Sequence, residues 1–322
     1  MPKETKYVLI IGSSNMDLNI YSERFPNPGE TVTGGRFKQF LGGKGANQAV
    51  AAVRSGATTT FIGKIGTDNF GNQMISQLAE EGINMSHVIR DSENASGVAF
   101  ILIDEKGENM ISVAPGSNFN LSVEDIRSKA DVIKNASVLV VQMEIPIKTI
   151  ETVFRIASEG DVIKILNPAP LKPISLETLK NVDIIVPNEG ELHRLYSNMK
   201  LHGDPGEGKQ KIKQISREIA NLGIKYVITT LGDKGCLIYL SKEDKFVEIS
   251  APKVDVVDTV GAGDCFIGVL ASKLSQGETI INAVKYAIIA ASIAVTRKGA
   301  QDSMPDLKEI EERLKDSNIK VN

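Results

Sequence analysis

Tryptophan is absent from the 322 residues, histidine occurs three times and cysteine twice. Cys236 and Cys265 alone supply no disulfide framework and no zinc spacing, so a reducing, cytoplasmic setting is expected. His87, His193 and His202 stand apart, in no cluster with cysteines or carboxylates. Histidine-based catalysis is therefore a poor reading, and a proton acceptor is expected to be a carboxylate. Charge of one sign is lacking too: 37 basic residues face 40 acidic ones, interspersed, for a formal charge of -3. Neither a nucleic acid nor a membrane surface is expected as a partner. Long apolar runs are missing as well. Tyr7–Ile11 is too short for a signal-peptide core, and 287–295 is too short for a membrane span and contains Ser292.

What is present is an ordinary globular balance, 42% hydrophobic and 24% charged. The length suits one large α/β domain or two modest ones. Short β-branched runs at 7–11, 59–62, 138–142, 162–166, 184–186 and 226–231 read as buried strands. Helical spacing fills 46–55, 70–81, 147–158 and 209–222, and Gly56, Gly82 and Gly223 stand where helices should end. This alternation predicts a mostly parallel sheet with helices on both faces. Two stretches break the rhythm, about 17–40 and 97–113, the second turning at 105–108. Both read as strands outside the main sheet, forming a small β-lid or, more plainly, edge hairpins. Residues 202–208 read as a mobile loop, 280–297 as a buried alanine-rich helix and 306–315 as a surface helix.

Four segments carry chemistry. Asp258-Thr259-Val260-Gly261-Ala262-Gly263-Asp264 runs into an apolar helix, so free backbone N–H groups and the positive end of the helix dipole converge there. That suits a transferring phosphoryl group, with Asp264 placed to accept a proton from an attacking hydroxyl. Taken alone, the stretch reads better as a capped helix start. Gly42-Gly43-Lys44-Gly45-Ala46-Asn47 allows close backbone approach, with Lys44 and Asn47 as donors to hydroxyls. It is neither a Walker loop, since Lys38 and Gly45 stand at two required positions, nor a dinucleotide fingerprint. Asn15 and Asp17 follow the first strand, where open α/β sheets bind ligands. Asn188 and Glu191, three apart, would share a helical face suited to a hard cation through water, or would simply cap a helix.

In combination and in this order, the segments resemble the ribokinase family of carbohydrate kinases, the PfkB superfamily. Residues 42–56 and 258–270 resemble its two signatures, Asn188 with Glu191 its magnesium motif, 230–235 its nucleotide loop and 295–301 its tail. The resemblance covers nearly the whole chain. It implies a three-layer α/β/α domain over 1–322, with a mostly parallel central sheet and a β-lid that also clasps a second copy as a homodimer. The implied activity is ATP-dependent phosphorylation of D-ribose at the 5-hydroxyl, with deoxyribose or another sugar as the alternative; Asn15, suited to a hydroxylated sugar, favours ribose.

The same resemblance implies residue roles. Asp264 would be the general base and Gly261, Ala262 and Gly263 the anion hole. Asn15, Asp17, Gly43, Lys44, Asn47 and Glu144 would hold the sugar. Asn188, Thr230, Leu231, Gly232, Asp233, Lys234, Gly235 and Gly263 would contact ATP. Glu191 would serve Mg²⁺ through water. Asp258, Val260, Ala294, Arg297, Gly299 and Ser303 would hold an activating K⁺, several through backbone carbonyls. There are departures: Ile288 stands where a polar residue beside the adenine is more usual, Asp302 adds a carboxylate near the cation loop, and Asp233 puts a charge in the nucleotide loop. A nicotinamide-dependent oxidoreductase is disfavoured because neither glycine segment fits its fingerprint. A catalytically silent sugar-binding protein is disfavoured because Asp264 and its preceding glycines are present. Cys265, beside the base at a helix start, reads as packing.

Overall fold

The computed structural model describes residues 6–199, 208–317 and 319–321. In chain order its strands are β1 (Val8–Ile11), β2 (Asn15–Tyr21), β3 (Arg36–Gly42), β4 (Thr59–Ile62), β5 (Lys64–Gly66), β6 (Ile89–Asp91) and β7 (Gly97–Ile103). They continue with β8 (Asn109–Ala114), β9 (Val138–Val141), β10 (Ile163–Leu166), β11 (Ile184–Ile185), β12 (Tyr226–Thr230), β13 (Cys236–Leu240) and β14 (Lys245–Ile249). The α-helices are α1 (Lys44–Arg54), α2 (Asn69–Glu80), α3 (Val123–Arg127), α4 (Ala130–Lys134), α5 (Ile147–Ala157) and α6 (Leu176–Leu179). After them come α7 (Glu189–Asn198), α8 (Gly208–Ala220), α9 (Ala262–Ser275), α10 (Ile280–Ala294) and α11 (Leu307–Asp316).

Eight strands form the main sheet in the order β14-β13-β12-β11-β10-β9-β1-β4. Pairing is parallel from β4 to β12 and antiparallel from β12 to β14. The parallel strands are covered on both sides, which is why they read as unbroken apolar runs. Successive side chains alternate between faces. Val8, Ile10, Val138 and Val140 enter the layer holding α1, α2, α9, α10 and α11. Leu9, Ile11, Leu139 and Val141 enter the layer of α3, α4, α5, α7 and α8. The expected strands and helices fall within a few residues of these elements. The expected loop at 202–208 lies, apart from Gly208, outside the described residues.

The two stretches outside the main rhythm form one separate four-stranded sheet, β3-β2-β7-β8. Each is an antiparallel hairpin, and parallel pairing of β2 with β7, from Asn15 opposite Gly97 to Tyr21 opposite Ile103, joins them. The second hairpin turns at 104–108, where Gly107 N–H donates to the Asp104 carbonyl.

Helices α1 and α9 cross unusually closely. A Cβ on Gly268 of α9 would stand 2.4 Å from the Gln48 carbonyl oxygen and 2.5 Å from the Ala51 Cβ of α1. Only a glycine permits that approach, and it brings residues 47 and 48 over the first turn of α9. Among the described residues no helix is long and apolar enough to cross a membrane.

Candidate active site

Helix α9 begins at Gly261, whose φ of 76° lies in the left-handed region open to glycine at little cost. No side chain caps this helix. Asp264, in the first turn, reads from its own stretch of sequence as a cap before a base, and it does not cap. Its carboxylate is turned to α1, where Asn47 Nδ2 donates to Oδ2 and Gln48 Nε2 to Oδ1, each at 2.9 Å. The Ala262 N–H donates to the Thr259 carbonyl at 3.3 Å. The N–H groups of Gly261, Gly263 and Asp264 have no hydrogen-bond partner among the described residues. They stand at the positive end of a fourteen-residue helix, a setting that attracts anions.

A cleft of about 220 Å³ opens beside this turn. Of the expected site residues it is lined by Lys44, Asn188, Glu191, Thr230, Gly261, Gly263 and Asp264. Asn167, Ala169, Val186, Thr259, Phe266 and Ile267 complete the wall and had not been singled out. A Cβ placed on Gly263 would meet nothing within 4 Å, so this glycine leaves open space inside the cleft. The Lys44 ammonium is held above its ordinary pKa, chiefly by the charge of Asp264, with Glu144 and Glu191 adding to it.

The far wall comes from the ends of β11 and β12. Asn188 bridges to Thr230, and the Thr230 N–H donates to the Pro187 carbonyl at 3.0 Å. Asn188 and Glu191 form a reciprocal capping box on α7: Oδ1 of Asn188 accepts from Glu191 N–H at 2.8 Å, and Glu191 Oε2 accepts from Asn188 N–H at 2.9 Å. The capping reading is therefore correct for this pair, and both residues still face the cleft. Residues 232–234 make a tight turn closed by Leu231 N–H on the Gly235 carbonyl. Asp233 is exposed there and does not line the cleft.

Asn15 and Asp17 lie on β2 of the four-stranded sheet, with Gly43 packed on the backbone of Ser14 and Asn15 and Glu144 bonded to Ser13. Gly43 takes φ 86°, and a Cβ there would run into the Ser14 backbone at 2.7 Å. Asn15 Oδ1 accepts from Asn118 Nδ2 at 2.8 Å, leaving its own N–H groups as donors. Glu144 Oε2 accepts from Ser13 Oγ at 2.5 Å and from Lys44 N–H at 3.0 Å. The Asp17 carboxyl is pushed up to about 7, first by burial and then by the negative charges of Glu144 and Asp264. Ser13 and Asn118 were missed by sequence reasoning, since each acts by holding another residue.

Of the implied cation residues, Asp258, Val260 and Gly299 lie on two loops pinned together, Ala294 ends α10 and Ser303 lies in the turn at 301–303. Asp258 accepts from Val260 N–H and from Gly299 N–H, both at 3.0 Å, and Ala300 packs on Gly261. Arg297 sends its guanidinium to Glu309, so only its backbone faces this junction as a candidate ligand. Asp302 is exposed, and its charge acts on Arg54. Ile288 is 4% exposed and packs in the core. Cys265, read as packing, is fully buried, and burial pushes its thiol up to about 12.

The family model of pfkB family carbohydrate kinases matches residues 5–307. A ribokinase of Staphylococcus aureus is 39% identical over 308 residues, covering 95% of this chain and 99% of its own. A deoxyribokinase of Salmonella typhi is 35% identical over 308 residues, covering 95% and 98%. The solved structure of Arabidopsis thaliana ribokinase complexed with ribose and ATP superposes with a TM-score of 0.89 at 31% identity, covering 97% and 100%. With the glycine-led helix, the amide-held Asp264 and the 188–191 capping box set in that fold, the chain belongs to the pfkB family of carbohydrate kinases.

Proposed function

We propose that this protein transfers the terminal phosphoryl group of ATP to the 5-hydroxyl of D-ribose, with Asp264 as general base. The observation that carries the reading is the Asp264 carboxylate itself. It sits on the first turn of α9, held by two neutral amides, at a cleft edged by unpartnered backbone N–H groups. A hydroxyl bonded to that carboxylate would lie beside the place where the helix tip attracts a phosphoryl group, so attack and proton removal share one location. The N–H groups of Gly261, Gly263 and Asp264 would stabilise charge growing on the transferring oxygens. Lys44 would neutralise the phosphate chain from the cleft wall. The sugar would be held by donors on Asn15 and by the carboxylates of Asp17 and Glu144, with residues 230–235 and Asn188 along the nucleotide.

Mg²⁺ fits the oxygen donors here: among the described residues no cluster of three ligating side chains exists, and this ion commonly binds through phosphates, waters and one carboxylate. Glu191, with one oxygen outside its capping bond, would hold it through water; the ion supplies charge neutralisation. Potassium would be held by the loops carrying Asp258, Val260, Ala294, Arg297, Gly299 and Ser303, reinforcing the positive potential at the helix tip. The outer four-stranded sheet exposes Phe37, Phe100 and Met110 on one face and, on the face that carries Asp17, Ile111 and Val113, so it has apolar surface both for covering the site and for packing on a second copy as a homodimer. Deoxyribose is the second reading, favoured by the Salmonella relative.

The test is turnover on ribose, deoxyribose, fructose and adenosine, in potassium and in sodium salts. Ribose with ATP in potassium is expected to be the best combination. Asp264→Asn is expected to lose about 10²–10⁴-fold in kcat while still binding ribose and ATP; wild-type turnover by that variant would remove the assignment.

A further inference from the structure

The Asp264 carboxylate is held by more than its two nearest donors. Gln142 Nε2, just beyond the end of β9, donates to Gln48 Oε1 at 2.5 Å, and Gln48 Nε2 donates to Asp264 Oδ1 at 2.9 Å. From the opposite side, Gln301 Nε2 donates to Asn47 Oδ1 at 3.1 Å, and Asn47 Nδ2 donates to Asp264 Oδ2 at 2.9 Å. All four amides are buried. Both chains run in the same sense, carbonyl accepting and N–H donating, and both end on the carboxylate. An amide whose oxygen accepts a hydrogen bond becomes a better donor through its nitrogen, so each chain polarises toward Asp264.

We infer that Gln48 and Gln301 are positioning residues, which fix the rotation of the Asp264 carboxylate through two amide relays anchored on different parts of the fold. The inference rests on Asp264 being the base. The anchors are rigid. Gln48 Nε2 also donates to Asn167 Oδ1 at 3.2 Å, and Asn167 Nδ2 donates to the Val186 carbonyl at 3.1 Å, so this relay is tied to the ends of β9, β10 and β11. The other is tied to the loop after α10, whose Gln301 and Met304 carbonyls accept from Arg54 at 2.7 and 3.0 Å. With one oxygen bonded from each side, the carboxylate cannot turn about its last torsion without breaking a buried bond. Its remaining lone pairs therefore keep one direction. A freely turning carboxylate would share its time among directions that do not meet the alcohol.

A merely structural glutamine would also be buried and bonded, so the test must separate the roles. Gln48→Met and Gln301→Met keep volume and remove the relay, one on each side. Their kcat, both KM values and the stoichiometry of binding for ribose and a non-hydrolysable ATP analogue are measured beside Asp264→Asn. The expected result is kcat lower by about 10- to 100-fold, KM values within twofold, and one full binding site per chain. Full stoichiometry shows that a lower kcat is not a misfolded fraction. If Asp264→Asn is inactive but both methionine variants keep kcat within twofold, the base stands and the relays fall. If Asp264→Asn turns over normally, the base reading and the relays fall together. A rise in KM that accounts for the whole loss would make these residues substrate supports and overturn the inference.

Discussion

Replacing Gly263 by alanine separates the chemistry of the helix tip from its stability. Gly263 is the second residue of α9 and lines the cleft, and a methyl group there would touch nothing within 4 Å. Its backbone is helical, so alanine is allowed, and an alanine in a helix is favoured over glycine by at most about 1 kcal/mol. The folded protein is expected to melt no lower, and up to about 2–4 °C higher. The methyl would occupy the space beside the unpartnered N–H groups of Gly263 and Asp264, where the phosphoryl group is proposed to sit. A group displaced by about 1 Å from its reacting position costs about 100-fold, or about 2.7 kcal/mol of transition-state stabilisation. The assay is kcat/KM for ribose and ATP beside a thermal melt. A variant as stable as the parent and active within threefold would refute the placement of phosphoryl transfer at this turn.

Two further outcomes follow from packing and charge. In the ligand-free protein the raised carboxyl of Asp17, about 7 against 3.8 ordinarily, binds a proton that the unfolded chain releases near pH 4. Stability from this group is therefore fully present below about pH 4 and is lost as pH rises to 7. The melting temperature is expected to fall between pH 5 and 7, and Asp17→Asn to flatten that slope; an unchanged slope would refute it. Gly268→Ala drives a methyl into the Gln48 carbonyl and Ala51, with an expected loss of about 1–3 kcal/mol in a denaturant titration and a lower kcat as α1 moves off Asp264. Unchanged stability and turnover would show that the two helices can separate without consequence.

Features with a local cause were legible before any coordinates. Gly56, Gly82 and Gly223 end helices at φ 94°, 89° and 106°, and unbroken apolar runs marked strands buried on both faces. The 104–108 turn announced itself by composition. The β13–β14 hairpin, the short β5–β6 pair and the parallel pairing of β2 with β7 did not. That last pairing joins segments about eighty residues apart, and nothing in either hairpin specifies its neighbour.

The candidate site divides along the same line. The resemblance brought Asp264, Gly263, Lys44, Asn188 and Glu191 into one site, and these five line one cleft, each in or beside a turn whose shape its own neighbours set. It did not distinguish a polar residue that faces a ligand from one that faces another residue. Asn47, a sugar contact by resemblance, donates one N–H to Asp264 and accepts from Gln301, 217 and 254 residues away in sequence. Gln48, one position later, was not singled out although it holds the other carboxylate oxygen. Both meet α9 only because Gly268 lets the two helices touch. A single small residue in the middle of an apolar helix thus decides which polar groups of a distant helix reach the base, and its own neighbours in sequence carry no sign of it.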